Sequence, residues 1–212
     1  MSEFEQARGK RVLLKFEGRR CIHSRQCVLA RPDVFVPNVK GEWIHPDNAT
    51  PEEIAALALS CPSGAITHER LDGGPGEVAP LVNVARVREN GPLALHGDLE
   101  IEGEAPRFRA TLCRCGASKT KPYCDASHVA SGFQATGEPA TQESEALAER
   151  GGKLKVTPFK NGPLGISGSL EICTGTGRTV NRVTKTALCR CGHSSKKPYC
   201  DGTHSKVGFT TE

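Results

Sequence analysis

The chain has 212 residues, with 23 Gly and 14 Pro against seven Phe, two Tyr and one Trp, too few large side chains for one big core and better suited to small metal-stapled units. A net charge of +4 is mild, and the basic residues lack the interleaved aromatics or known motif of a nucleic-acid binder, so nucleic acid is not an expected partner. Ten cysteines, an acidic opening unlike a signal peptide or presequence, and no run of about eighteen apolar residues argue against secretion and membrane spanning, and predict a reducing, cytoplasmic setting with metals rather than disulfides.

Residues 11–17 (Arg-Val-Leu-Leu-Lys-Phe-Glu) predict an opening strand that Gly18 ends. Cys21-Ile-His23-Ser24-Arg-Gln-Cys27 follows, and Val28-Leu-Ala-Arg continues into a short helix stopped by Pro32. Phe35-Val36 and Glu42-Trp43-Ile44 read as short strands around a turn at Lys40-Gly41. Thr50-Pro51-Glu52-Glu53 is a strong helix start, with Thr as cap, Pro at the first position and Glu three residues after the cap. Ile54, Leu57 and Cys61 share one face of that helix, so Cys61, just before Pro62, is delivered toward Cys21 and Cys27.

Leu71-Asp-Gly-Gly-Pro-Gly is a linker by composition, and an internal repeat starts after it. Strand-like runs, Val82 to Val87 and Leu154 to Val156, precede Asn90-Gly91-Pro92-Leu93 and its copy Asn161-Gly162-Pro163-Leu164. Leu99-Glu100-Ile101 recurs as Leu170-Glu171-Ile172, and the second copy then holds five extra residues before its first paired cysteine, with Cys173 at their edge as a structural thiol. Between the copies, Thr141 to Arg150 followed by Gly151-Gly152 reads either as a short capped helix or as a solvated linker. Each copy closes with His-x3-Gly-Phe, ending at Phe133 and Phe209.

Within each copy lies Cys-x-Cys-x8-Cys-x3-His: Cys113, Cys115, Cys124 and His128, then Cys189, Cys191, Cys200 and His204. Cysteines one residue apart on a short extended loop aim both sulfurs at one metal. The Cys-x3-His pair falls on one face of a helix. Two ligand pairs suit a two-iron cluster with one pair on each iron, and equally a single tetrahedral zinc with three Cys and one His.

Lys-Pro-Tyr-Cys-Asp-(Gly/Ala)-(Ser/Thr)-His, preceded by Cys-x-Cys and by Ser118 or Ser194, resembles the mitoNEET-like CDGSH iron–sulfur domain family. The resemblance implies a 2Fe–2S cluster in each copy, held by Cys113, Cys115, Cys124 and His128 and by Cys189, Cys191, Cys200 and His204. Ala126 departs from the usual Gly, and the loop is expected to tolerate it. Tyr123 and Tyr199 either cover the cluster edge or pack. An oxidised cluster with this ligand set carries about one net negative charge, which Arg114, Lys119, Lys121, Arg190, Lys196 and Lys197 would offset.

Residues 10–70 resemble a divergent single-cluster ferredoxin domain of a type found beside CDGSH domains. Ser24 stands where a middle cysteine is usual. Cys21, Cys27 and Cys61 therefore suit a 3Fe–4S cluster, or a 4Fe–4S cluster completed by His23, Ser24 or solvent; three packed thiols are the alternative.

The expected fold class is α+β: a small ferredoxin-like domain over 1–72, then β-rich CDGSH domains over 80–137 and 150–212 that form an intramolecular pseudo-dimer β-sandwich in a monomer. No catalytic motif is present, so the expectation is not an enzyme. It is an iron–sulfur protein for one-electron transfer or for cluster storage and transfer, its partner a redox protein or cluster acceptor. A redox or iron sensor and a zinc-stabilised interaction module are the alternatives.

Overall fold

The computed structural model describes residues 4–211, a mixed helix-and-strand chain that divides into two compact units, one ending at Val78 and one starting at Ala79. In the first, β1 (Phe4–Arg8), β2 (Val12–Glu17) and β3 (Ile66–Arg70) form an antiparallel sheet in the order β1-β2-β3. The expected opening strand is thus its centre. Its neighbours carry mostly polar side chains and gave no alternating signal.

Helix α1 (Gln26–Ala30) follows the loop from Cys21 and carries Cys27, and α2 (Pro51–Ser60) carries the full capping box, Thr50 Oγ1 accepting from the Glu53 backbone and the Glu53 carboxylate accepting from the Thr50 backbone. Ile54, Leu57 and Ala58 on α2 pack with Val12, Leu14 and Phe16 on β2, and Cys61 caps the helix. The strands expected at Phe35-Val36 and Glu42-Trp43-Ile44 reduce to a single Phe35–Ile44 bridge, flanked by hydrogen bonds from Val36 N to Trp43 O and from His45 N to Val34 O. Pro37 removes the next donor, so the ladder stops there.

The second unit is built from the repeat. One copy supplies β4 (Val84–Val87), β5 (Leu93–Ile101) and β6 (Arg107–Leu112), the other β7 (Lys153–Pro158), β8 (Leu164–Cys173) and β9 (Thr179–Leu188). Within each copy the strands pair antiparallel; between copies the pairing is parallel and reciprocal, β4 with β8 and β5 with β7. Leu95, Leu99 and Ile101 from one copy therefore meet Ile166, Leu170 and Ile172 from the other in a shared core. The Val82–Val87 run yields β4, and the Leu154–Val156 run lies within β7.

No helix forms over Thr141–Arg150. Instead Gln142 N donates to Val180 O at 2.8 Å, and Arg182 N donates to Ser144 Oγ at 3.1 Å. The five extra residues lengthen the β8–β9 hairpin, and its edge captures this segment. Side-chain hydrogen bonding of Thr, Gln and Ser to the strand replaces both the helix and the free linker.

Candidate metal centres

Each Cys-x-Cys pair sits where the last strand of its copy, an edge strand of the sheet, ends. After β6, the chain turns back on itself: Cys113 N donates to Pro122 O at 2.9 Å and Cys124 N to Thr111 O at 2.9 Å, which brings the third cysteine beside the first. After β9 the same bonds recur, from Cys189 N to Pro198 O at 2.8 Å and from Cys200 N to Ala187 O at 2.9 Å. Ser118 Oγ and Ser194 Oγ brace the turn by donating to Tyr123 O and Tyr199 O, each at 2.6 Å. Asp125 and Asp201, although inside the motif, are not aimed at the sulfurs; each carboxylate accepts from two backbone N–H groups, Lys119 and Ser127, or Ser195 and Thr203. The Thr203 hydroxyl together with these backbone donors holds Asp201 below the usual range, and at Asp125 the accepted bonds outweigh burial to do the same.

The sulfur spacing tests the fit to a metal. Two thiolates on one tetrahedral metal at about 2.3 Å lie about 3.8 Å apart, and a thiolate and an imidazole nitrogen about 3.6 Å. Cys113 Sγ and Cys115 Sγ are 3.7 Å apart, Cys189 Sγ and Cys191 Sγ 3.8 Å, and Cys124 Sγ and His128 Nδ1 3.5 Å. In the second copy His204 Nδ1 turns instead to Asn161 O at 3.0 Å, with Ser205 Oγ at 3.3 Å. Among the described residues, no three His, Cys, Asp or Glu close around a single ion position. The pairs therefore stand at the spacing that two ligands of one metal require.

Backbone N–H groups point at the sulfurs. Ala117 N reaches Cys115 Sγ and Ala126 N reaches Cys124 Sγ, both at 3.4 Å; His193 N reaches Cys191 Sγ at 3.5 Å and Gly202 N reaches Cys200 Sγ at 3.4 Å. Such donors stabilise thiolate and raise the potential of a bound cluster. Cys113 is held down as the thiolate of its pair, chiefly by the hydrogen bond from Cys115, which is pushed up in turn. Burial pushes Cys124 up to about 11 and raises Cys191. Burial also lowers His128, favouring the neutral imidazole that ligation requires.

Sequence reasoning took Arg114 and Arg190 as cations beside a cluster but missed their structural task. Both are buried, and both clamp the strand turn of their own copy. Arg114 donates to the carbonyls of Gly91, Arg88, Thr136 and Ala135, Arg190 to those of Gly162 and Phe159. The guanidiniums also lie over Phe133 and Phe209, at 5.4 and 5.6 Å. The signal was the recurrence of Asn-Gly-Pro with Cys-Arg-Cys. Lys197 donates to Ser194 O at 2.6 Å, and Lys121 lies 5.9 Å from the Phe209 ring of the other copy. Tyr123 is buried in the core and Tyr199 packs against it, so both pack. Cys173 lies buried in β8 against Thr179 Oγ1, 3.7 Å away, as expected of a structural thiol.

In the first unit, Cys21, Cys27 and Cys61 line one cavity of about 610 Å³, with His23, Ser24, Ser63, Phe16 and Trp43 among its walls. Burial chiefly raises the pKa of Cys21 and Cys27, and nearby thiols add to it: Cys61 acts on Cys21, and Cys61 and Cys21 act on Cys27. The loop reaches this shape through left-handed His23 (φ 53°) and Arg25 (φ 62°), and the His23 N–H points at the Cys21 thiol. Cys61 Sγ stands 3.6 Å from Ser63 Oγ, a buried hydroxyl that sequence reasoning did not consider. His23 and Ser24 are exposed at the rim.

Comparison with known families places residues 7–70 in the family described as divergent 4Fe-4S mono-cluster. Residues 90–129 and 161–205 match the iron-binding zinc finger of CDGSH type. No curated protein and no solved structure matches the chain.

Proposed function

The chain joins a divergent 4Fe-4S mono-cluster domain to two CDGSH-type iron-binding domains, and from that premise we propose that it is a non-enzymatic iron–sulfur carrier. It passes single electrons between redox proteins or hands clusters to an acceptor. The domains span 1–72, 80–137 and 150–212. The reciprocal pairing of β4 with β8 and β5 with β7 supports an intramolecular pseudo-dimer in a monomeric protein. No helix among the described residues is long and apolar enough to cross a membrane. The cytoplasm is the proposed compartment.

The observation that carries the reading is the set of ligand pairs at one-metal spacing, twice for Cys-x-Cys and once for Cys124 with His128. Cys113, Cys115, Cys124 and His128 would hold one 2Fe–2S cluster, and Cys189, Cys191, Cys200 and His204 the other. Cys21, Cys27 and Cys61 would hold a 4Fe–4S or 3Fe–4S cluster. Such a group supplies reversible one-electron chemistry when bound. The chain's own part is to aim N–H donors at the sulfurs, bury or half-bury the thiols, and present His128 and His204 half-exposed at the surface.

A second reading, redox or iron sensing through cluster loss, has one specific support. The His204 ring already has a protein acceptor in Asn161 O, so its release from a metal leaves no orphaned donor. Iron and sulfide content, visible absorption and electron paramagnetic resonance on anaerobically purified protein test the assignment. Colour, with two irons and two sulfides per CDGSH site and three or four irons in the first unit, is the expected result. Zinc without colour overturns it, and oxidant-driven cluster loss under working conditions moves the balance to sensing.

A further inference from the structure

The two Cys-x-Cys loops touch. Cys115 and Cys191 face one another as an isolated antiparallel backbone pair, a relation in which directly opposed Cα atoms lie about 5 Å apart. Gly116 and Gly192, next in each loop, both hold φ at +84°. A Cβ on Gly116 would sit 2.6 Å from the Cys191 carbonyl oxygen, and one on Gly192 2.5 Å from that of Cys115. Only a residue without a side chain permits this approach. The metal motif by itself does not demand it, because each set of four ligands lies within its own copy.

Side chains cross the junction as well: Arg114 and Arg190 each lie between the two thiols of their loop, and Lys121 of the first copy lies 5.9 Å from the Phe209 ring that Arg190 of the second copy also covers. Cys113, Cys189, Cys191, Arg114 and Arg190 are all at most 5% exposed. A charge placed here is poorly screened by salt or water, so it acts on the neighbouring site far more strongly than a surface charge would.

We propose that the Cys115–Cys191 junction makes the two sites one electrostatic pair, in which reducing either centre makes the other harder to reduce. The inference rests on the reading that each site holds a 2Fe–2S cluster. With a 2Fe–2S cluster held at each site, one electron from a one-electron donor would reduce one ferric iron to ferrous with no bond broken and take the site's net charge from about −1 to about −2. The second electron enters beside that added charge. The two guanidiniums do not cancel the effect, since they are present at both steps. They shift both potentials and leave the difference between them.

The test is a mediator-poised redox titration of the full-length protein, followed by electron paramagnetic resonance at a temperature where only two-iron signals persist. Iron and sulfide are assayed first on the same sample; without two irons and two sulfides per site, the underlying reading fails rather than the coupling. Two separated waves are expected, each with half the spins, and the fully reduced spectrum should show a splitting that the half-reduced sample lacks. Intrinsically unequal sites would also give two waves, so Cys200→Ala, which empties the second site, is titrated alongside. Cys124→Ala, which removes a ligand of the first site, is titrated too; coupling predicts that in both variants the remaining site is reduced at a higher potential than the second wave of the intact protein, as a single unsplit signal, whereas uncoupled unequal sites leave one of the two at the second wave. A single wave in the intact protein with an unchanging line shape overturns the proposal, as does a first-site potential identical with and without its neighbour. Gly116→Ala with Gly192→Ala, where it folds, should force the loops apart and draw the waves together.

Discussion

Arg114, buried behind the Cys-x-Cys loop, donates its Nε hydrogen to the carbonyl oxygen of Gly91 at 2.8 Å, and Arg190 repeats the bond to Gly162 at 2.9 Å. Two recurring features far apart in sequence are thereby one structural feature: the Asn-Gly-Pro turn is the acceptor for the arginine between the thiols. Removing the guanidinium strands several carbonyls at once, and each buried unsatisfied group costs about 1–3 kcal/mol. Arg114→Met is expected to lose about 3 kcal/mol or more in urea unfolding and to speed the bleaching of cluster absorbance. A change within about 0.5 kcal/mol would show that solvent replaces the clamp.

At one left-handed backbone position the two copies carry different residues. Ala126 and Gly202 both adopt the left-handed conformation before their short helices α3 (Ser127–Ala130) and α4 (Thr203–Lys206), with φ of 67° and 83°. A Cβ at Gly202 would meet nothing within 4 Å, so strain alone separates the two residues. A side chain in this region costs about 1 kcal/mol. Ala126→Gly should stabilise the protein by roughly that amount, and Gly202→Ala should destabilise it similarly, both without loss of iron. Thermal unfolding of the two variants, compared at equal cluster loading, reads the difference.

Glu171 gives the fold an acid arm. Its carboxylate is buried on β8, accepts from Arg150 Nε at 2.6 Å and from Thr179 Oγ1 at 2.9 Å, and is held below the usual range chiefly by Arg150. A group whose folded pKa is depressed contributes stability that is fully present above its unfolded pKa, near 4.5, and is lost as pH falls through the folded value. Glu171→Gln should therefore cost about 1–3 kcal/mol at neutral pH and flatten the fall in stability below pH 4.5. Equal slopes for variant and parent in acid denaturation would remove Glu171 from the account.

Much of this molecule was legible because spacing encodes it. Cys-x-Cys-x8-Cys-x3-His, the Thr50–Glu53 capping box and the longer repeat each carry a local physical meaning. The roles of Ser118, Asp125 and Arg114 were not legible, since all three bond to backbone groups that only the folded loop brings near. The β1 and β3 strands were missed because both owe their pairing to the apolar β2 between them. Between the helix and the linker that Thr141–Arg150 allows, local sequence does not choose, because the strand edge that holds Gln142 and Ser144 is brought near only by the fold.

Imidazole ligation makes cluster retention depend on acid. Burial already lowers the His128 pKa, and a bound metal lowers it further, so protonation competes with ligation only as pH falls. Retention is favoured at higher pH and lost in mild acid. His128→Cys with His204→Cys replaces both imidazoles by thiolates and should slow the acid-driven decay of visible absorbance by about tenfold, roughly 1.4 kcal/mol in the barrier. The lowered charge balance should also shift the potential of both sites downward, because a neutral ligand has become anionic. An unchanged acid profile would mean that Cys124 and Cys200, rather than the histidines, are the ligands whose protonation releases the cluster.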